Sequence, residues 1–589
     1  MRFRGYLLLL PAAVAALLIM NCSDNTKPER GAGDLLSQIG MSGVQMPPNP
    51  LEGRQNPLIF HIRNNWTGGD HYKTGGVHYS HIKVFGLCWK DIGGVGWDPT
   101  GEQAEFIADH FDMYAFGGYG VADHAYPQYP SFLWLETSGS SYMSSVYDTT
   151  LTKQWIRSAD NEQSVTWDEL VMHFKYDGSN VWNGYRTPPG IGFKGWNPND
   201  DTDGDGCIEA GEGNNGQPSD STRTAMCIAG AEVESYAGGS TRPWWDWAEV
   251  SPTMSREYQG NLDMRADRLE TVYYSHPKVF TGCLIDNVAY NRVDFGVEQT
   301  FTYDGSSQAE ANNQYYVNEV AWIPAFAAAF DARLEMPMTV YIGNVVSPYY
   351  SCVSGNGKEW FQEYMENCWD ECWLTTGGGG DLMTTDKIPC RLNCPFLEYC
   401  EQGKGYVFSA ASYENSNREK CFALATFYMI NHQMAFFYYR VHNPGWPDPH
   451  TPMSSSDKVW NWQWNSYVPF DIGQPIINTL SKLDFQGNAS TNRYFVFASD
   501  SDYKVLGREF MRSDDTRVLV ITKVMAIGGT EGDDCAQYPL PKCYRRVQPD
   551  LSLGGIISSV ALCNNDAAIL VETTCPRPGG GDPDPTIYP

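Results

Sequence analysis

The sequence predicts an α/β protein: a (β/α)8 TIM barrel with long insertions, followed by a small all-β sandwich domain. Three observations carry that expectation. Between about residues 58 and 445, apolar strand-like runs alternate with helix-like segments, the pattern of βαβ units and a parallel sheet. The number of units and the length of the block suit eight strands with room for insertions. After about residue 490 the helical spacing stops, and short alternating runs between turns take over.

Residues 82–87 read as the first strand. Ala104, Phe106, Ile107 and Phe111 give 100–111 helical spacing, and 112–116 return to strand. The stretch 117–250 is irregular, and no strand is assigned in it. Ser251-Pro252 opens a helix over 251–274, and 279–288 is a compact apolar strand that ends in Asp286-Asn287. An alanine-rich helix spans 315–334. Strands are expected over 338–344, 368–374, 406–411 and 435–440, with a helix over 418–430. In the last block 494–498, 505–511, 517–523, 556–562 and 567–572 read as strands. A doubly wound open sheet is the rival architecture. It calls for a glycine-rich phosphate loop after an early strand, and Gly75-Gly76 and Gly117-Gly118 lack the spacing and the helix start.

The N-terminus reads as an export signal over 1–21. Arg2 and Arg4 precede an uncharged apolar run, 7–20, that is short for a membrane span. Cys22 follows the run directly, where a lipoprotein carries its lipid, although Asn21 stands where such sites have a small residue. Residues 22–57 form a Pro- and Gly-containing tether. The barrel is expected over 58–485 with an insertion around 195–230, the β-sandwich over 490–575, and a Pro/Gly-rich disordered tail over 576–589. The expected location is secreted or cell envelope, with membrane contact only through a lipid on Cys22.

Charge narrows the partners. The formal net charge is −29, and a chain starting at Cys22 has 39 basic against 70 acidic residues, −31. Such a surface repels phosphate backbones and anionic lipids, which argues against nucleic acid. The aromatic content, 14 % with 19 Trp and 35 Tyr, supplies flat rings of the kind that line sugar clefts as well as cores. Sixteen cysteines suit an oxidising compartment and disulfides. Zinc is the rival for Cys390, Cys394 and Cys400, and the pairing is not readable from spacing.

The sharpest motif is a twelve-residue calcium loop over 201–212. Asp201, Asp203 and Asp205 stand at positions 1, 3 and 5, Gly206 at the sharp turn, Cys207 at the position that offers a backbone carbonyl, Glu209 at 9 and Glu212 at 12. Calcium takes six to eight hard oxygens, and this set supplies them. The flanks, Gly195-Trp196-Asn197-Pro198 and Gly213 to Gly216, break helices. The loop is therefore expected to clamp an insertion with Ca2+, without the helix pair of a calcium switch.

For chemistry, a barrel places its reacting groups at the C-terminal ends of strands. Asp286 closes an apolar strand, Glu371 lies within Cys368-Trp369-Asp370-Glu371-Cys372-Trp373-Leu374, and Asp112 and Glu414 are other strand-end carboxylates. Two carboxyl groups facing one cleft can act as acid and as base or nucleophile, as glycosidic cleavage requires. His61, His71, His78 and His81 have no ligand spacing on a defined element, and no Gly-x-Ser-x-Gly elbow is present.

Lys83-Val84-Phe85-Gly86-Leu87 and the run from Thr100 to Asp112 resemble the opening of uncharacterised glycoside hydrolases with a TIM barrel. Gly282-Cys-Leu-Ile-Asp286-Asn287 is similar to their strand ending in Asp-Asn, and the loop from Asn197 to Gly206 to a calcium-loop insertion seen in some of them. Asp471-Ile-Gly-Gln-Pro475, Arg508-Glu-Phe510 and Arg517-Val-Leu-Val520 resemble their junction to a C-terminal β-domain. The resemblance implies hydrolysis of a polysaccharide or oligosaccharide. It puts Asp286 as one catalytic carboxylate and Glu371 as the second, with Glu414 as the rival of Glu371. Asn287, Trp89, Trp244 and Trp245 are the candidates for holding sugar. Cys283 and Cys372 flank the two carboxylates in a way the family does not. A carbohydrate-binding or surface protein that keeps the scaffold without chemistry is the alternative.

Overall fold

The structure is a computed structural model. It describes residues 50–57, 82–87, 110–115, 131–136, 154–165, 173–176, 180–183, 207–208, 226–228, parts of 259–270, 282–289, 301–303, 324–334, 340–346, 366–374, 392, 400, 403–412, 416–432, 434–441, 465–476, 494–525 and 535–576.

Eight parallel strands form the first sheet: β1 (Phe85–Leu87), β2 (Met113–Ala115), β3 (Ser131–Glu136), β4 (Gly282–Ala289), β5 (Val340–Val346), β6 (Asn367–Leu374), β7 (Gly405–Ser412) and β8 (Ala435–Val441). Their order across the sheet is their order along the chain. The two outer strands of that path meet. Val84 pairs with Phe437 in a parallel bridge, and the Phe437 amide donates to the Lys83 carbonyl at 2.8 Å. Phe85, Trp369 and Tyr438, from β1, β6 and β8, bring their rings within 5.8–6.2 Å of one another. Strands sit about 4.8 Å apart in a sheet, so these three rings can meet only over a concave face.

Helices cover the other face. Residues 324–331 are helical and set Phe326 and Phe330 edge-on against Tyr341 of β5. The helix α1 (Asn417–Ile430) starts at Ser416 with a capping box: Ser416 Oγ accepts from the Glu419 amide, and the Glu419 carboxylate accepts from the Ser416 amide. Residues Cys421 to Ile430 of α1 are all buried. Such all-round burial needs a partner on both sides, and α1 has two. Phe427 meets Phe408 and Phe437 of the parallel sheet, while Thr426 hydrogen-bonds Thr522 of a second sheet.

That second sheet is antiparallel and contains β9 (Gln474–Pro475), β10 (Phe495–Ser499), β11 (Tyr503–Met511), β12 (Arg517–Met525), β13 (Ala536–Val547), β14 (Leu553–Leu562) and β15 (Asp566–Thr573), in the order β9-β11-β12-β15-β13-β14 with β10 on β11. The sequence predicts a sandwich here. The described strands instead form one hydrogen-bonded sheet with two buried faces. One face packs on α1. The other gathers Phe495, Val505, Leu519, Ile521, Tyr544, Leu562 and Leu570 into a core. β9 also lies inside the span expected for the barrel, 58–485, yet its pairing with Met511 and Phe510 places it in this sheet. The junction is held by Arg508, buried in β11, whose Nη1 donates to the carbonyls of Tyr428, Met429 and Asn431 at 2.9–3.1 Å. These are the C-terminal carbonyls of α1, which want a cation. Gly473 turns with φ +82°, and an added Cβ would lie 2.0 Å from the Met511 carbonyl oxygen, so the turn before β9 needs glycine. Cys535–Cys563 and Cys543–Cys575 are disulfides, while Cys283 and Cys421 are buried thiols.

A third, five-stranded antiparallel sheet is built from the insertions after β3 and β4. Its strands run in the order Cys207–Ile208, Met226–Ile228, Asn180–Asn183, His173–Tyr176, Phe301–Tyr303. Four of these five, and β3, fall in the stretch where the sequence assigned no strand. Among the described residues no helix is long and apolar enough to cross a membrane.

Candidate functional site

The two ends of the parallel sheet differ in kind. The N-terminal end is a closed polar lattice. Asn367, the first residue of β6, accepts from Asn56 Nδ2 and the Gly405 amide at 2.8 Å each and donates to the Tyr341 carbonyl at 3.0 Å. Arg54 pairs with Asp331 and, at 3.0 Å, with Glu366, whose carboxylate also accepts from the Tyr341 amide at 3.2 Å. Burial raises Glu366 to about 7, against the pull of Arg54. Burial lowers Lys83, just before β1, to about 7, against the charge of Asp112. Asp112 precedes β2 and accepts from the Val84 amide at 2.7 Å. It therefore belongs to this end, opposite to the one where a catalytic carboxylate is sought. The perturbed groups sit on the side of a parallel β/α sheet that supports stability, and every one of them has a structural neighbour.

The sequence-predicted acids Asp286 and Glu371 lie in the C-terminal halves of β4 and β6. Side chains alternate along strands, and register partners in neighbouring strands share a face. Starting from Trp369, which lies on the concave face, the chain of partners runs Trp369 to Asn344, then Phe85 to Met113, Ala115 to Phe132, and Trp134 to Leu284. The last pair of those two strands sets Glu136 of β3 opposite Asp286 of β4 in the register. β4 then slips against β5: Ile285 is opposite Gly343, but Val288 is opposite Val345. The extra residue is Asp286 or Asn287, so both sit at a bulge. The predicted strand end is corrected here, because β4 runs on to Ala289.

Glu371 lies at a second slip. β6 pairs Asp370 with Phe408 and next Leu374 with Ala410. Strict alternation would keep Trp373 on the face of Trp369, yet its ring meets Phe408 and Phe427 on the α1 side, 5.2 and 6.5 Å away. The alternation breaks between 369 and 373, and Glu371 is inside the break. The segment is a strand of the sheet, which removes the rival picture of a disulfide-bound loop around Glu371. Bulges at the rim of a curved sheet re-aim side chains and recur beside active sites.

Two residues were missed by the sequence reasoning. Glu136 ends the run Ser131–Glu136, and Arg440 is the penultimate residue of β8. In both cases the signal was a single charge closing an aromatic, alternating run. Glu414, Trp89, Trp244, Trp245 and the loop residues Asp201, Asp203, Asp205, Glu209 and Glu212 lie outside the described residues, as does Cys22. Of the calcium loop, Cys207 and Ile208 are described, as a short strand. Among the described residues no cluster of three metal-ligating side chains occurs.

No protein-family profile matches the chain, and no curated protein matches it. Two solved structures from Bacteroides fragilis are similar over part of their length. One is described as a "putative alpha-galactosidase", at 10 % identity and TM-score 0.25, covering 53 % of this chain and 65 % of the neighbour. The other is described as a "putative alpha-galactosidase/melibiase", at 10 % identity and TM-score 0.24, covering 57 % of this chain and 68 % of the neighbour. The chain thus spans less than two thirds of the first neighbour, and scores of this size establish neither fold nor activity for it.

Proposed function

We propose that this chain is an exported glycoside hydrolase on a closed (β/α)8 barrel, cleaving a polysaccharide or oligosaccharide with Asp286 and Glu371 and clamped in its insertion by a calcium ion. The observation that carries the reading is the pair of slips in the C-terminal halves of β4 and β6, each at a carboxylate the sequence had singled out. The Val84 to Phe437 bridge supports closure of the barrel. β4 and β6 are separated by β5, so their backbones are two strand spacings apart, roughly 10 Å. That leaves room for a sugar between the two acids. One would protonate the departing oxygen while the other attacks the anomeric carbon or activates water. Glu136, one spacing from Asp286, has no such room and is assigned to orienting Asp286 or a sugar hydroxyl.

The calcium loop would hold Ca2+ through Asp201, Asp203, Asp205, the Cys207 carbonyl, Glu209 and Glu212, and would order the insertion. Export, and a lipid on Cys22, rest on the N-terminal residues alone. The experiment is a screen of soluble polysaccharides for new reducing ends, with the wild type, Asp286→Asn and Glu371→Gln. Release by the wild type, with loss in both variants, is expected. Binding without release by the wild type would favour a carbohydrate-binding protein instead.

A further inference from the structure

Cys207 and Cys227 are register partners in the antiparallel pair of Cys207–Ile208 with Met226–Ile228. Residues opposed in such a pair have Cα atoms roughly 4.5–5.5 Å apart, inside the window of about 4.4–6.8 Å that a disulfide spans. Cys207–Ile208 is the edge of the five-stranded sheet and contains only two residues, so its backbone pairing alone is weak. Met226–Ile228 is anchored on its other side, with Asn183 opposite Cys227. Disulfides do form in this chain, at Cys535–Cys563 and Cys543–Cys575.

We propose that Cys207 and Cys227 form a cross-strand disulfide that fastens position 7 of the calcium loop to the insertion sheet. The two S–H bonds give way to one S–S bond. Two protons and two electrons pass, by thiol–disulfide exchange, to a disulfide-bearing oxidant that leaves as a dithiol. The bridge closes a loop of 20 positions (227 − 207) and holds the backbone whose carbonyl the cation takes. Calcium affinity then depends on the bridge. This second step rests on the calcium reading, and the bridge itself does not.

The test maps full-length protein by mass spectrometry after alkylation without reductant. A cross-linked peptide joining Cys207 to Cys227 is expected. Alkylation of either cysteine, or a bridge from either to a different cysteine, overturns the proposal. Calcium is then titrated by calorimetry into the wild type, before and after mild reduction, and into the Cys207→Ser/Cys227→Ser variant, which keeps the carbonyl at 207. Affinity at least about tenfold weaker without the bridge is expected. Equal affinity overturns the coupling. A wild type that carries the bridge and takes up no calcium overturns the calcium reading and leaves the bridge standing.

Discussion

At the scale of single residues, the candidate chemistry sits where a charge meets an irregular strand. Asp286 and Glu371 were conspicuous in the sequence because each interrupts a run of apolar and aromatic residues. Glu136 and Arg440 were not, because a charge that closes a run reads as the run's boundary. Only the register of β3 on β4 shows that Glu136 lies opposite Asp286. Glu136→Gln is expected to lower kcat/KM by about tenfold, roughly 1.4 kcal/mol of transition-state stabilisation, with no change in melting temperature. Unchanged kinetics would remove Glu136 from the site. Arg508 was quoted in the sequence only as part of a junction-like motif, and its three carbonyl partners emerge from the packing of β11 on α1. Arg508→Met should destabilise by about 2–3 kcal/mol, since three buried carbonyls lose a charged donor. A thermal melt that leaves the variant within a degree of wild type would contradict that role.

Elements whose period is strong were legible almost to their ends. α1 and strands β5 to β8 depart from the predicted spans by a few residues, because apolar spacing and a capping Ser416 mark them locally. β13 was missed for a physical reason. It contains Pro539 and Pro541, which cannot donate to a ladder. They are accommodated because β15 pairs with positions 543–546, and among the described residues no strand pairs with the proline end on that side. The lattice at the N-terminal ends of β5, β6 and β7 predicts a pH dependence. Glu366 is held at about 7 in the fold against 4.5 as a free group, so between those values the folded chain binds more protons than the unfolded one. Stability should therefore fall as pH rises from about 4.5 to about 7, by up to about 3 kcal/mol. Lys83, held at about 7 against 10.5, acts in the opposite sense above pH 7, where stability should recover. Denaturation followed across pH 4–9 should show this minimum, and Glu366→Gln should lose its acidic limb. A limb of the same depth in the variant would contradict the assignment.

On the scale of the whole molecule, the class of the chain followed from alternation and from the switch to short strands near residue 490. The third sheet did not, because its strands have only two to four residues and come from segments far apart in the chain. Short strands bury too little to impose a pattern on their own sequence, so their signal lies in the partner. If calcium clamps that insertion, a chelator should lower the melting temperature of the wild type and leave Asp203→Ala unmoved, and equal responses would remove the clamp. The central claim remains that the rim of the parallel sheet cleaves sugars through Asp286. The measurement that tests it most directly is the rate of reducing-end release from a soluble polysaccharide by the wild type and by Asp286→Asn, with matched melting curves as the folding control. A fall of about 10²–10⁴-fold in the variant is predicted, and equal rates of release by the two proteins would contradict it.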